Sequence, residues 1–162
     1  SYQAVYMKRP SGFTLLEILV VVVILSVMAG MLIPSIASNN RKVIDAAETL
    51  VMMINMAQQE AIMTSRVWQL VVDIENKNYR FQQLGNLEFE EIRTRPLAGN
   101  HDIAPAIFDE LQVNGQRITS EQAEIYLFPT GEQDSLRLIL KSANSELAVA
   151  MGPIGPALLE RL

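Results

Sequence analysis

The chain has no cysteine and a single histidine among its 162 residues. Without cysteine there can be no disulfide framework, no thiolate metal site and no lipid anchor on a cysteine, so an exported head must hold together by its core alone. The one histidine, His101, stands beside Asp102 in a stretch with little periodicity. A Ser-His-Asp arrangement can be drawn on paper from any histidine and a few serines. No Gly-rich phosphate loop, HExxH pair, EF-hand spacing or CxxC accompanies it, and His101 reads as solvated surface. Glu132 and Asp134 share a turn, but two carboxylates do not make a cation site. No catalytic residue, cofactor or metal is expected, and the chain does not read as an enzyme.

Positive charge is scarce too. Lys and Arg number 13 against 18 Asp and Glu, a net charge of -5. Nucleic-acid binders concentrate cations on one face, so nucleic acid is not an expected partner.

Against these absences stands one long apolar run, residues 13–33, in which only Thr14, Glu17 and Ser26 are polar. A helix of that length rises roughly 30 Å, the thickness of a bilayer's hydrocarbon core. Its Leu, Ile, Val and Phe residues each favour insertion by roughly 0.3 to 0.6 kcal/mol and together outweigh roughly 3 kcal/mol for one carboxylate. Lys8 and Arg9 precede the run and stay on the cytoplasmic side, which sends everything after Ile33 across the membrane. Glu17 needs a reason: an acid within such a run is costly and is read with a cationic partner. A cut between Gly12 and Phe13 would supply one, because the new α-amine is largely protonated at neutral pH. That amine can reach Glu17 of its own helix, four residues on and on the same face, or Glu17 of a neighbouring subunit. The residues leave both open.

Residues 8–17 resemble the type IV prepilin signal: a short basic leader, then Gly12, Phe13 and Glu17. Met7 is the natural start of that leader, with residues 1–6 upstream of it and residues 1–12 together preceding the cut. The resemblance implies cleavage after Gly12 by a prepilin peptidase and methylation of the amine of Phe13. It also implies an assembly or register role for Glu17 and a helix kink at Pro34. A secretory signal peptide would read Lys8 and Arg9 as its basic region, residues 15–25 as its apolar region and Val27-Met28-Ala29 as its cleavage site. Glu17 then falls where the apolar region should begin, and the apolar run continues past Ala29. A plain permanent anchor leaves Glu17 unexplained.

Residues 13–34 are therefore expected to form a transmembrane helix, and residues 35–66 an amphipathic helix running into the head. There Val43, Ala46, Ala47, Leu50, Ile54, Ala57 and Ala61 recur at helical spacing. Met52, Met53, Met56 and Met63 read as flexible packing filler. Residues 67–162 read as a β-rich head. Period-two alternation from Val67, an Asn76-Lys77-Asn78 turn and a second apolar stretch to Leu84 predict a hairpin with Trp68 as a core anchor. Residues 124–128 and 136–141 read as a second pair around the Pro129-Thr130-Gly131 turn, joined by residues 146–151 in a three-stranded sheet. Between them, residues 85–123 read as a long, partly irregular insertion. Its acids Glu88, Glu90, Glu91, Asp109 and Glu110 make it a candidate docking surface.

This layout, with the stretch Ile125-Tyr126-Leu127-Phe128-Pro129-Thr130-Gly131 followed by Leu136-Arg137-Leu138 and a last hairpin, is similar to the GspH/FimT family of minor pseudopilins. The resemblance implies an α+β fold, a long N-terminal helix packed on a head of two antiparallel β-sheets. It implies a structural subunit of the type II secretion pseudopilus, single-pass in the bacterial inner membrane with its head in the periplasm, which helps export folded proteins across the outer membrane. Its implied partners are the prepilin peptidase, other major and minor pseudopilins, the inner-membrane assembly platform and, before assembly, membrane lipid. The alternative is a minor pilin of a type IV pilus. The DNA-uptake kind is disfavoured, because residues 152–162 carry only Arg161 as a cation, beside Glu160.

Overall fold

The computed structural model describes residues 12–103 and 106–162; side chains are described except those of residues 31–37 and of Ile107. The chain divides into two compact units, Ser1–Ile36 and Ala37–Leu162. One helix, α1 (Leu15–Thr64), contributes to both. In the first unit its described turns carry apolar side chains on every face, all exposed.

In the second unit α1 is amphipathic, and its apolar stripe is the one the spacing predicts. Val43, Ala47, Leu50, Ile54, Ala57 and Ala61 are buried, and Ala46 is half-buried. Three of the buried six are alanines, which add little bulk between the helix axis and the strands. Of the four methionines Met53 is buried, while Met52 and Met63 are exposed.

Two five-stranded antiparallel sheets complete the α+β head. The first is built from β1 (Trp68–Asp73), β2 (Asn78–Leu84), β3 (Phe89–Glu91), β4 (His101–Asp102) and β7 (Gln122–Leu127), in the order β3-β2-β1-β7 with β4 also on β2. The second contains β5 (Ile107–Val113), β6 (Gln116–Arg117), β8 (Leu136–Lys141), β9 (Glu146–Met151) and β10 (Leu158–Arg161), in the order β10-β9-β8-β5-β6. The predicted hairpin is β1-β2, paired from Trp68↔Gln83 to Asp73↔Asn78. Its turn is closed by Asp73, whose carboxylate accepts the Asn76 backbone N–H and side-chain amide, both at 2.9 Å. These bonds, the side-chain one first, hold the Asp73 carboxyl below its ordinary range.

Three expectations are corrected. Residues 124–128 and 136–141 are not a pair: β7 lies against β1 in the first sheet, and β8 lies between β5 and β9 in the second. Residues 85–123, expected as a partly irregular insertion, are not inserted outside the sheets: they supply β3 to β6, and β5 is an interior strand of the second sheet. A register shift between Phe108 and Glu110 hides β5 in the sequence: a bulge breaks the alternation of apolar and polar residues that announces a strand. Finally, the sheet that holds β8 and β9 is five-stranded rather than three-stranded, and β10 pairs with β9 from Leu158↔Ala150 to Arg161↔Leu147.

One core joins these parts. Trp68, Leu70 and Val72 of β1, Tyr79 and Phe81 of β2, and Ile125 and Leu127 of β7 meet the α1 stripe. The same core takes Leu136, Leu138, Leu140, Leu147 and Val149 from the second sheet. Each side chain of this size contributes about 1.5 to 3 kcal/mol on burial. Burial pushes the Tyr79 phenol up to about 12, and its hydroxyl lies 3.5 Å from the Met53 sulfur.

Candidate functional site

The residues singled out in the sequence cluster at the N-terminal end of α1. Residues 12–14 are not helical, and Leu15 is the first residue of the helix. Thr14 makes the transition: its Oγ1 accepts the Glu17 backbone N–H at 3.2 Å, and its carbonyl oxygen accepts from the Glu17 and Ile18 N–H groups at 3.0 and 3.2 Å. This is an N-cap, which satisfies donors that have no partner inside the helix. Glu17 is the acid of the first turn, a position where a carboxylate meets the positive end of the helix dipole. Thr14 and Glu17 thus stand as the two ends of a Thr-x-x-Glu capping-box pattern. Thr14 is not among the residues singled out above, although this four-residue pattern signals it in the sequence.

Gly12, Phe13 and Glu17 are brought to one end of the helix, all exposed, Phe13 at 79%. Farther along, Ser26 is satisfied within the helix by donating to the Val22 carbonyl at 2.7 Å. Leu15, Leu16, Leu19, Leu25 and Met28 are each more than half exposed, more apolar surface than a soluble protein leaves uncovered. Among the described residues no helix is long and apolar enough to cross a membrane. Residues 15–30 fall short of the roughly 20 a span requires, and the apolar run of the sequence continues to Ile33. The Pro34 side chain, and with it the expected kink, lies outside the described residues.

In the head the candidate groups have structural partners. The acids expected to share one docking surface are divided between the sheets. Glu91 meets Arg80 at 3.5 Å on the first sheet, and Asp109 meets Lys141 at 2.9 Å on the second. Glu88 and Glu90 line a groove of about 850 Å³ with Glu60, Trp68, Arg93 and Leu97. His101 is not solvated surface: it pairs with Tyr79 across β4 and β2 and stacks on that ring at 5.2 Å. Asp134 accepts the Tyr126 N–H at 2.8 Å and the Asn114 side-chain amide at 2.9 Å, linking β7 to the β5-β6 turn. Among the described residues no group of three or more His, Asp or Glu side chains is placed to hold a metal ion.

The prokaryotic N-terminal methylation motif matches residues 7–33. No match is found among curated proteins. Among solved structures, the minor pseudopilin EpsH from the Type 2 Secretion System of Vibrio cholerae superposes with a TM-score of 0.57 at 12% identity, covering 75% of this chain and 96% of that one. This is a pilin-like fold. A methylation motif leads it, an N-terminal helix follows, and the helix packs on an antiparallel β head as in the pseudopilin. The motif itself implies processing by a peptidase and assembly with pilin-like partners in general.

Proposed function

We propose that the chain is a minor pseudopilin of a type II secretion system, a structural and non-enzymatic subunit of the periplasmic pseudopilus that helps move folded proteins across the outer membrane. The observation that carries this reading is the union, in one chain, of a methylation motif at residues 7–33 and a head with the fold of a minor pseudopilin. Residues 7–12 form the leader, and residues 13–34 anchor the chain in the inner membrane as a single pass with the head in the periplasm. Prepilin peptidase cuts between Gly12 and Phe13, and the new amine of Phe13 is methylated. Assembly then lifts the apolar helix out of lipid into a bundle of like helices supplied by other major and minor pseudopilins on the inner-membrane platform. Pro34 bends the helix where the anchor meets residues 35–66.

Glu17 sets the register in this scheme. A carboxylate in apolar surroundings is satisfied only when an amine is adjacent, so a mis-stacked subunit leaves a buried charge unpaired at a cost of several kcal/mol. Two measurements test the reading. The intact mass of the membrane-extracted protein should lack everything through Gly12 and carry one methyl on Phe13. Deletion of the gene should abolish secretion of folded proteins and leave twitching intact; loss of twitching with normal secretion would move the chain to a type IV pilus.

A further inference from the structure

Side chains close two of the sheet edges in the head. Asp134 closes β7: its backbone N–H donates to the Tyr126 carbonyl oxygen at 2.9 Å, and its carboxylate accepts the Tyr126 N–H at 2.8 Å. The Asn55 amide does the same for Ala157, just before β10, at 2.8 and 3.2 Å. The outer edge of β3 has no such plug among the described residues. We propose that this edge is a docking site for an extended, basic segment of a partner protein, which adds to the first sheet as a further strand. The site belongs to the head and stands whether or not the N-terminus is processed.

The strand register fixes which backbone groups are open. β2 and β3 pair as Leu84↔Phe89, Gln83↔Glu90 and Gln82↔Glu91, and just beyond them the Gly85 N–H donates to the Glu88 carbonyl oxygen at 2.8 Å. Bonded and non-bonded pairs alternate along an antiparallel ladder. Gln83↔Glu90 is therefore a bonded pair, and the N–H and C=O groups of Phe89 and Glu91 turn away from β2. The Leu84 N–H agrees, since it donates to the Val67 carbonyl oxygen at 2.7 Å on the opposite side of β2. Among the described residues no group bonds to the outward N–H and C=O of Phe89 and Glu91, and an edge of that kind is a template for another chain.

Beside this edge lies the groove of about 850 Å³, lined by Met56 and Glu60 of α1, Trp68 of β1, and Glu88 and Glu90. Successive side chains of a strand point to opposite faces. Glu91 turns to the outer face, where it meets Arg80 at 3.5 Å and accepts from Gln82 at 2.6 Å, so Glu88 and Glu90 turn to the groove, with Glu60 on its α1 wall. None of these three carboxylates is in an ion pair among the described residues. Arg93 and Arg95 line the groove past β3, so the charge changes sign there and a partner's cations are confined to the β3 end. Opposite charges facing each other across a strand pair stabilise it, and like charges destabilise it. The occupant is therefore a strand of basic-apolar-basic pattern: its cations face Glu88 and Glu90, and its apolar side chain lies beside Phe89 on the outer face.

The test titrates the full chain, in non-ionic detergent micelles, with the end-blocked peptide Lys-Val-Lys-Val-Lys. Two signals are read: the emission of Trp68, the single tryptophan of the chain, and amide exchange at Phe89 and Glu91. Binding should shift the emission and protect both amides, with β7 and β10 unchanged. The same peptide with Glu in place of Lys, or N-methylated at all its amides, should not bind. The double variant Glu88→Gln, Glu90→Gln should bind about five-fold more weakly, as expected for two lost cross-strand charge pairs. Glu121→Gln, an exposed acid outside the groove, should leave binding unchanged. Absence of binding overturns the inference. So does binding that leaves Phe89 and Glu91 unprotected, or equal affinity for the N-methylated peptide, since surface charge alone would then hold the peptide. Undiminished affinity in the double variant overturns the basic character of the occupant, and the proposal with it.

Discussion

The side chain of Asn55 is bonded in both directions to the backbone of Ala157. Its Oδ1 accepts the Ala157 N–H at 2.8 Å, and its Nδ2 donates to the Ala157 carbonyl oxygen at 3.2 Å. Ala157 immediately precedes β10, so a helix side chain supplies the pairing a neighbouring strand would otherwise give. Gln58, one helical turn on, donates to Gln133 Oε1 at 2.6 Å. The buried Gln133 donates in turn to the carbonyl oxygens of Gly152 and Gly155 at 2.9 and 2.7 Å. The C-terminal segment is thus fastened to α1 by amide side chains rather than by apolar burial alone.

Replacing Asn55 with Ala should cost about 1 to 3 kcal/mol, because it strands a part-buried donor and acceptor together. Amide hydrogen exchange should show the loss of protection concentrated in residues 157–161 while β1 and β2 stay protected. Uniform loss of protection across the head would show that the pair does not act locally.

Leu50 is fully buried where α1 meets the sheets. Leu50→Ala should lower stability by about 2 to 5 kcal/mol through lost transfer energy and the cavity left behind. Leu87, 97% exposed in the β2-β3 connection, is the matched control: its change to Ala should stay within about 0.5 kcal/mol. Thermal unfolding of the detergent-solubilised chain reads both, and equal effects would overturn the assignment of the α1 stripe as the core seam.

Tyr79 predicts a weakness on the alkaline side. Burial raises its phenol from 10.0 to about 12, so between those values the unfolded chain releases the proton and the folded chain keeps it. The contribution is fully present below about pH 10 and is lost as pH rises towards 12. Stability measured across that window should fall, and Tyr79→Phe should flatten the fall. An unchanged slope in the variant would show that other groups govern the alkaline limb.

Glu17→Gln removes the charge while preserving shape. Membrane insertion should be unimpaired, since the cost of one carboxylate disappears. Incorporation into filaments should drop by about tenfold or more, because the variant no longer distinguishes a correctly stacked amine from a misplaced one. Quantifying the variant in sheared filaments against the membrane fraction decides the matter, and wild-type incorporation would remove Glu17 from the register.

The sequence by itself determined the parts whose physics is local. The basic leader, Gly12, Phe13 and Glu17 lie within ten residues. The stripe from Val43 to Ala61 repeats at the pitch of one helix, and the β1-β2 hairpin is written in a two-residue period around one turn. Thr14 belongs to the same legible class, since the Thr-x-x-Glu spacing lies within four residues. Tertiary structure alone decided which sheet received each strand, the place of β5, and the fastening of β10 to Asn55 and Gln58. Alternation reports that a strand has two faces but not which neighbour it pairs with, and the bulge at Phe108 to Glu110 erased even that alternation. The Asn55–Ala157 bond joins residues 102 positions apart, and a contact of that kind exists only once the core has brought the two ends of the head together.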